Sequence, residues 1–193
     1  MYQGTTLVVP YRAQEGSGFS PCTMSKPIRH ADMSGILSSS RTFFVTTKTG
    51  MGRALLQSER NATLLIDVLR TNMKAKKFRV HDFVIMPDHV HLLISVDRDL
   101  SIEKAMQLIK GGFSFRLKKE YGYTGEVWQR GFSEVRVNDR ESFLQHREYI
   151  TENPVKAGLV NSAEDFPYCY SYLVRQKSAG AKAQLQSAAV RHD

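Results

Sequence analysis

Hydrophobic and polar residues recur with two periods along this 193-residue chain, and each period predicts a different kind of element. Four runs rich in β-branched and aliphatic residues predict strands over residues 42–48, 78–86, 89–96 and 134–137. A proline followed by an aspartate at residues 87–88 predicts a tight turn. The third strand therefore follows the second one directly.

Apolar residues at helical spacing lie between and after these strands and predict three helices, over residues 58–77, 101–121 and 139–153. The second helix is questionable at Gly111-Gly112, because glycine weakens a helix interior. The first helix has an apolar face that consists of Ala62, Leu65, Val68, Leu69 and Met73.

The third helix has predicted start and stop signals. Asn138 can cap its first turn, and Glu141, three residues later, completes a capping box. Pro154 disfavours helical geometry at Asn153, so we expect the helix to end there. The predicted apolar stripe of this helix comprises Phe143, Leu144, Ile150 and the stem of Arg147.

The order of elements, β-α-β-β-α-β followed by one more helix, is the ferredoxin-like pattern of an α+β fold. It predicts an antiparallel sheet in which the third strand is central and the added C-terminal helix lies over it. Such a fold hosts many functions, so function has to be argued from the side chains.

Two histidines, His89 and His91, open the third predicted strand. Alternate side chains of a strand point to the same face, so both imidazoles should lie together while Val90 enters the core. Neutral imidazole binds divalent cations, and two from one strand form half of a metal site. The alternative is a pair of ordinary histidines near a strand end.

A second polar cluster lies on the third predicted helix. His146, Tyr149 and Asn153 are spaced i, i+3 and i+7, which places them on one helix face. In isolation, Tyr149 would be read as a packed surface aromatic residue and Asn153 as a C-cap. His146 is a weaker candidate for a base acting on the Tyr149 hydroxyl.

The two clusters together resemble a known family. A His-hydrophobe-His motif on a central strand, followed by a Tyr-Ile-x-x-Asn-Pro helix, is similar to the single-tyrosine HUH transposases, and especially to REP-associated tyrosine transposases. Matching segments also occur at residues 127–132 (Val-Trp-Gln-Arg-Gly-Phe), 153–160 and 165–171. The resemblance covers residues 41–173 of the chain.

This resemblance implies a mechanism. His89 and His91 would hold Mg²⁺ or Mn²⁺, which polarises the scissile phosphate of single-stranded DNA, and Tyr149 would attack phosphorus to give a 5′-phosphotyrosine and a free 3′-hydroxyl. Asn153 would supply the third metal ligand through its amide oxygen, which suits these cations. Mobile relatives often have glutamine there, so the asparagine points to the REP-associated branch.

Charge agrees with a nucleic-acid partner. The chain has 27 Lys and Arg against 19 Asp and Glu, a net charge of +8, which favours polyanions. For each basic run the alternative is a solvated helix face. The residues expected to contact DNA phosphates around the site are Lys110, Arg116, Lys118, Lys119 and Arg130.

The rest of the chain sets boundaries. We expect a leader of uncertain order at residues 1–40, a transposase domain at 41–173 and a basic tail at 174–193. The two cysteines, too few for a disulfide framework, indicate a reducing cytoplasm. No apolar run is long enough to span a membrane. The expected state is a monomer or a homodimer.

Three functions remain open. The first is a strand transferase that acts on single-stranded or hairpin DNA through Tyr149. The second is a domesticated protein that binds repeat hairpins without cleaving them. The third is an unrelated metal-dependent phosphodiesterase with a water nucleophile. That enzyme needs a carboxylate base, and Asp88 is expected to face away from the histidines, which disfavours it.

Overall fold

The structure is a computed structural model that describes the backbone of residues 40–189 and the side chains of residues 40–179. Except for Ser40, the predicted leader lies outside the described residues. Two single turns of 3₁₀ helix, Gly50–Gly52 and Ala163–Asp165, lie in connecting loops. The main elements are β1 (Ser40–Lys48), α1 (Glu59–Lys74), β2 (Arg79–Ile85), β3 (His89–Asp97), α2 (Ile102–Tyr121), β4 (Ser133–Val137), α3 (Arg140–Lys156) and α4 (Tyr170–Ala189).

The four strands form one antiparallel sheet in the order β2-β3-β1-β4. This is the ferredoxin-like arrangement, and the α+β prediction with a central third strand is confirmed. In the pairing of β1 with β3, Thr46 lies opposite His91 and Lys48 lies opposite His89.

The sheet has two different faces because side chains alternate along β3. Val90, Leu92 and Ile94 are buried in the core that α1 and α2 cover. Leu93 points the other way and packs in a second cluster with Ile150 of α3. Helices α1 and α2 therefore lie on one face, and α3 lies on the other.

Helix α2 is unbroken at Gly111 and Gly112 because α1 packs against the second glycine. A Cβ on Gly112 would lie 3.2 Å from Cγ1 of Val68, closer than a comfortable contact. The two helices can approach because that Cβ is missing. The helix ends instead at Gly122, whose φ of 66° favours glycine.

The predicted start of α3 is wrong by one residue and its predicted end by three. The cap is Asp139 rather than Asn138, since its carboxylate accepts a hydrogen bond from the Ser142 amide at 2.7 Å. The helix also continues past Pro154 to Lys156. Proline removes one N–H but leaves its carbonyl available, and that carbonyl accepts from the Leu159 amide at 2.9 Å.

Few residues anchor α3 to the sheet. Of its 17 residues only Ile150 and Pro154 are buried, and the predicted stripe residue Leu144 is 50% exposed. Arg147 adds a polar anchor, because its Nε lies 3.2 Å from Oδ2 of Asp82, a carboxylate buried on β2. Burial raises the pKa of Asp82, and Arg147 counteracts part of that rise.

Helix α4 adds an element that the sequence does not predict. It crosses the expected boundary between domain and tail at residues 173 and 174, so the sheet carries two added helices instead of one. Within residues 40–189, none of the helices combines the length and apolarity that crossing a bilayer requires.

The Arg147→Met variant is expected to lose about 1–3 kcal/mol of unfolding free energy near neutral pH, because the buried Asp82 carboxylate loses its cation. Without Arg147 the folded-state pKa of Asp82 rises further above its ordinary value of 3.8. Between the unfolded-state and folded-state pKa values of Asp82, the folded variant binds more protons than the unfolded chain, so its unfolding free energy falls as the pH rises. The loss of unfolding free energy caused by the substitution should therefore be smaller at low pH. Urea unfolding at about pH 7 and about pH 4.5 measures this difference.

Arg116→Met is the matched control for this prediction. Arg116 pairs with Glu120 on the surface of α2 at 2.6 Å, where an ion pair contributes little. Its removal should change stability slightly and equally at both pH values. An equal loss at both values in Arg147→Met would contradict the role assigned to the Asp82 charge.

Candidate active site

The two histidines lie side by side at the start of β3. The hairpin that links β2 to β3 closes with a hydrogen bond from the Met86 amide to the His89 carbonyl at 2.8 Å. The ring centroids of His89 and His91 are 4.8 Å apart, while Val90 is buried on the opposite face. The geometry predicted from alternation is therefore confirmed.

Each imidazole has a partner at Nδ1. His89 Nδ1 lies 2.6 Å from Oδ1 of Asp88, and His91 Nδ1 lies 2.8 Å from Oγ1 of Thr46 on β1. Partners of this kind fix the ring orientation of metal-binding histidines. The prediction that Asp88 faces away from the histidines is wrong, since this residue lies in the turn before β3 and does not follow the strand alternation.

His91 has the properties that a metal ligand needs. Its Nε2 is buried and has no hydrogen-bond partner among the described residues. Burial, followed by the charges of His89 and Lys48, lowers the pKa of His91 to about 3. The ring is therefore neutral at physiological pH, which is the form that binds a divalent cation. The two histidines therefore fit a divalent cation.

Tyr149 stands beside this pair. Its ring centroid lies 5.1 Å from that of His91, and the residue is 40% exposed. The ammonium of Lys156, two helical turns further on, lies 6.0 Å from the centroid of the same ring. The structure thus brings the two histidines and the tyrosine together, as the motifs predicted.

Asn153 lies one helical turn beyond Tyr149 on α3. It is half-buried, and its side chain makes no hydrogen bond within residues 40–179. Within that range no hydrogen bond joins its amide to the histidines, so its role as third ligand stays a prediction. Among the described residues no three His, Cys, Asp or Glu side chains converge as a metal site, so a site at the two histidines would need a different third ligand, such as the amide oxygen of Asn153.

Phe44, like Thr46, is a site residue that the sequence does not reveal. Its ring stacks on His146 with 4.4 Å between centroids and on His91 with 5.4 Å, and meets the edge of Tyr149 at 5.7 Å. The residue joins β1 to α3 across the site. The sequence does place Phe44 on β1, two residues before Thr46 and so on the same strand face. Its ring contacts follow only from strand pairing and helix packing.

His146 is held by that stacking. Burial lowers its pKa, so the ring is mostly neutral near pH 7. Its ring packs on Phe44, and no hydrogen bond within the described residues joins it to Tyr149. Its assignment as a base therefore remains the weaker alternative.

The basic residues predicted to contact DNA occupy two different places. Arg116, Lys118 and Lys119 lie on α2, which packs on the face of the sheet opposite the histidines. These three residues therefore lie away from the two histidines and Tyr149. Arg130 lies in the loop before β4, beside Thr46. Lys110 is engaged within the chain, since its ammonium donates to the carbonyls of residues 129 and 131 at 2.9 and 2.6 Å.

Comparisons with known proteins point in one direction. Residues 44–153 match the family described as IS200-like transposases. A Haemophilus influenzae protein, provisionally named a REP-associated tyrosine transposase, is 35% identical over 95 residues, which cover 44% of this chain and 53% of that protein. The REP-associated tyrosine transposase of Escherichia coli is 23% identical over 128 residues, which cover 66% of this chain and 74% of that protein.

A solved structure gives a further likeness. It shows a REP-associated tyrosine transposase bound to a REP hairpin, with 25% identity, a TM-score of 0.54, and coverage of 76% of this chain and 82% of that one. The chain spans about half the length of the Haemophilus relative. The resemblance to REP-associated tyrosine transposases is confirmed.

In the metal-free protein the imidazole of His91 is expected to stay neutral well below the ordinary histidine pKa of 6.5, because protonation would place a charge in a buried site. Its ring resonances, followed by NMR in the presence of a chelator, should not shift between about pH 8 and about pH 5. A His91 titration with a midpoint near that ordinary value would contradict the burial seen in the structure. Resonances are assigned with the His91→Gln variant.

Proposed function

We propose that this chain, which belongs to the family of IS200-like transposases, breaks and rejoins single-stranded or hairpin-containing DNA through a covalent bond to Tyr149. Family membership supports a DNA transposase. The observation that carries the finer proposal is Tyr149 beside His91, 5.1 Å between ring centroids. A hairpin is proposed as substrate because a solved relative holds a REP hairpin.

The proposed chemistry is a phosphoryl transfer to tyrosine. The phenol oxygen of Tyr149 bonds to phosphorus, and the bond from phosphorus to the 3′ oxygen of DNA breaks. The phenol loses its proton and the departing 3′ oxygen gains one, which leaves a 5′-phosphotyrosine and a 3′-hydroxyl. Phenolate leaves more readily than an alkoxide, so attack by a 3′-hydroxyl reverses the step and rejoins the strand.

The proton of Tyr149 has to be removed, since a free phenol has a pKa of about 10. The Lys156 ammonium lies 6.0 Å from the centroid of the Tyr149 ring, close enough to attract the negative charge of a phosphate under attack. His146 is a weaker candidate for the group that accepts this proton. Positioning and charge neutralisation are the main contributions that a protein makes to such a reaction.

We propose Mg²⁺ or Mn²⁺ as the cofactor, held by His89, His91 and Asn153. When bound, such a cation neutralises charge on the phosphate under attack. The proposal is supported by the buried, unpartnered Nε2 of His91. Asp88 and Thr46 contribute by orienting the two imidazoles through their Nδ1 atoms.

The two alternative functions, a phosphodiesterase and a hairpin-binding protein, require different residues. A phosphodiesterase with a water nucleophile needs a carboxylate base, and Asp88 is near enough, but its Oδ1 is already engaged with His89. A domesticated protein that binds hairpins without cleaving them would need the same DNA contacts and no reactive tyrosine. Covalent capture of DNA separates both from the strand transferase. The cytoplasmic location and the monomeric or homodimeric state stay predictions.

Alanine at His89 or His91 is expected to abolish cleavage while hairpin binding changes less than about threefold, because DNA affinity comes mainly from phosphate contacts elsewhere. Thr46→Val, which removes only the hydrogen bond to His91, should weaken Mn²⁺ binding about 10–100-fold. Calorimetric Mn²⁺ titration and a cleavage assay with labelled hairpin DNA measure these effects. Full cleavage in excess chelator would sink the metal proposal.

Tyr149→Phe is expected to fold normally and bind DNA but to form no covalent adduct, since only the nucleophilic oxygen is removed. Wild type incubated with labelled single-stranded DNA and Mn²⁺ should give a denaturant-resistant protein–DNA band, absent in the variant. Tyr121→Phe is the matched control, because Tyr121 is 39% exposed, close to the 40% of Tyr149, but lies on α2 across the sheet.

An adduct that persists in Tyr149→Phe would assign the nucleophile to another tyrosine. If wild type forms none on any hairpin substrate while still binding it, the binding-only alternative holds.

A further inference from the structure

A groove borders the histidines on the side of β1. It encloses about 380 Å³, a size in the range of small-ligand sites. Thr46 belongs both to the groove wall and to the hydrogen bond with His91. The groove and the proposed metal site therefore share one side chain, that of Thr46. Its lining residues are Thr46, Lys48, Gln129, Arg130, Gly131, Phe132 and Ser133.

The outer wall of this groove, residues 129–133, is a loop held at several points. The Gln129 amide donates to the Lys48 carbonyl at 2.9 Å, and Trp128 pairs with Thr49 as an isolated bridge. The Trp128 indole donates to the Lys110 carbonyl at 3.1 Å. These bonds fix the base of the wall to β1 and α2.

Lys110, on α2, also holds this wall. Its Nζ donates to the carbonyls of Gln129 and Gly131, at 2.9 and 2.6 Å, on either side of Arg130. Two of its three N–H groups are used in this way. Desolvation also lowers the pKa of Lys110. The ammonium is therefore placed to shape the loop and not to meet a ligand.

The chemistry of the groove suits a nucleotide. Arg130 and Lys48 bring positive charge, which matches phosphate, and the guanidinium can bind two phosphate oxygens at once. Gln129 has an amide that can meet a base edge, and Phe132 offers an aromatic ring. Aromatic and cationic side chains together are typical of single-strand binding.

We propose that this groove binds the nucleotide adjoining the scissile phosphate, with Arg130 contacting its phosphate and Lys110 acting as a positioning residue that holds the wall in place. The proposal rests on the proposed function, because it takes the phosphate beside His91 as the cleavage point. It also separates the roles of two residues that the sequence placed together as phosphate contacts.

The first test maps the groove without using cleavage. Thymidine 3′,5′-bisphosphate, one nucleotide with a phosphate on each side, is titrated into ¹⁵N-labelled wild type. Amide shifts are expected at residues 46–48 and 129–133, and they should be largely lost in Arg130→Gln. Shifts elsewhere, or unchanged shifts in that variant, would overturn the assignment whether or not the protein cleaves DNA.

The second test separates a contact from a positioning residue. Binding of a fluorescent 15-mer of thymidine is measured by anisotropy over a range of salt concentrations. Arg130→Gln should weaken binding about fivefold and flatten the log-affinity against log-salt slope by about 0.7, as expected for one lost single-strand phosphate contact. Lys110→Met should also weaken binding, because the loosened loop has to be ordered when DNA binds, but with the wild-type slope, because Arg130 still contacts the phosphate in the complex.

Two further variants complete the second test. Lys104→Gln removes the same charge from α2 at an exposed position bonded to Gln107 and should change neither affinity nor slope. Lys110→Arg keeps donors for both carbonyls and should recover most of the affinity lost in Lys110→Met. A slope flattened by about 0.7 in Lys110→Met would make Lys110 a phosphate contact and refute the positioning role. Failure of Lys110→Arg to recover affinity would refute it as well.

Discussion

The site depends on the register of β3. Because side chains alternate, the strand that buries Val90, Leu92 and Ile94 against α1 and α2 must turn His89 and His91 to the other face. A slip by one residue would remove three aliphatic side chains from the core under α1 and α2, where the burial of each contributes about 1.5–3 kcal/mol, and would press the imidazoles into that apolar core. The hydrophobic core therefore fixes the orientation of the histidines.

The two sides of the active site are held with unequal strength. The histidines belong to the central strand of a paired sheet, whereas Tyr149 belongs to a helix with two buried residues, one ion pair and a stacked Phe44–His146 contact. Small changes in helix docking would move the hydroxyl relative to the two histidines, which the paired sheet holds. A lightly docked helix would let the proposed nucleophile adjust its distance to the phosphate between cleavage and rejoining.

Sequence patterns predicted what depends on local periodicity, and missed what depends on strand pairing. Strand alternation was enough to place His89 beside His91, and helical spacing placed Tyr149 on one face of α3. Thr46 and Phe44 could not be assigned, because their contacts with residues 91 and 146 come from neighbours distant in the sequence. Lys110 was grouped with phosphate contacts for the same reason: its carbonyl partners lie 19 and 21 residues ahead. The predicted end of α3 is too early because Pro154 loses only its own hydrogen bond to the carbonyl four residues earlier, while the residues after it stay helical to Lys156.

His91 shows why such a site is not optimised for folding alone. An unpaired nitrogen buried beside Phe44 costs folding free energy, on the order of 1–3 kcal/mol for a polar group without a partner. The same burial keeps the ring neutral and ready to donate its lone pair, so the property that weakens the fold also prepares the ligand. Thr46 limits the cost by satisfying Nδ1, which leaves Nε2 as the atom available to a cation. The free-energy cost of this unpaired nitrogen therefore falls at the site where the chemistry is proposed to occur.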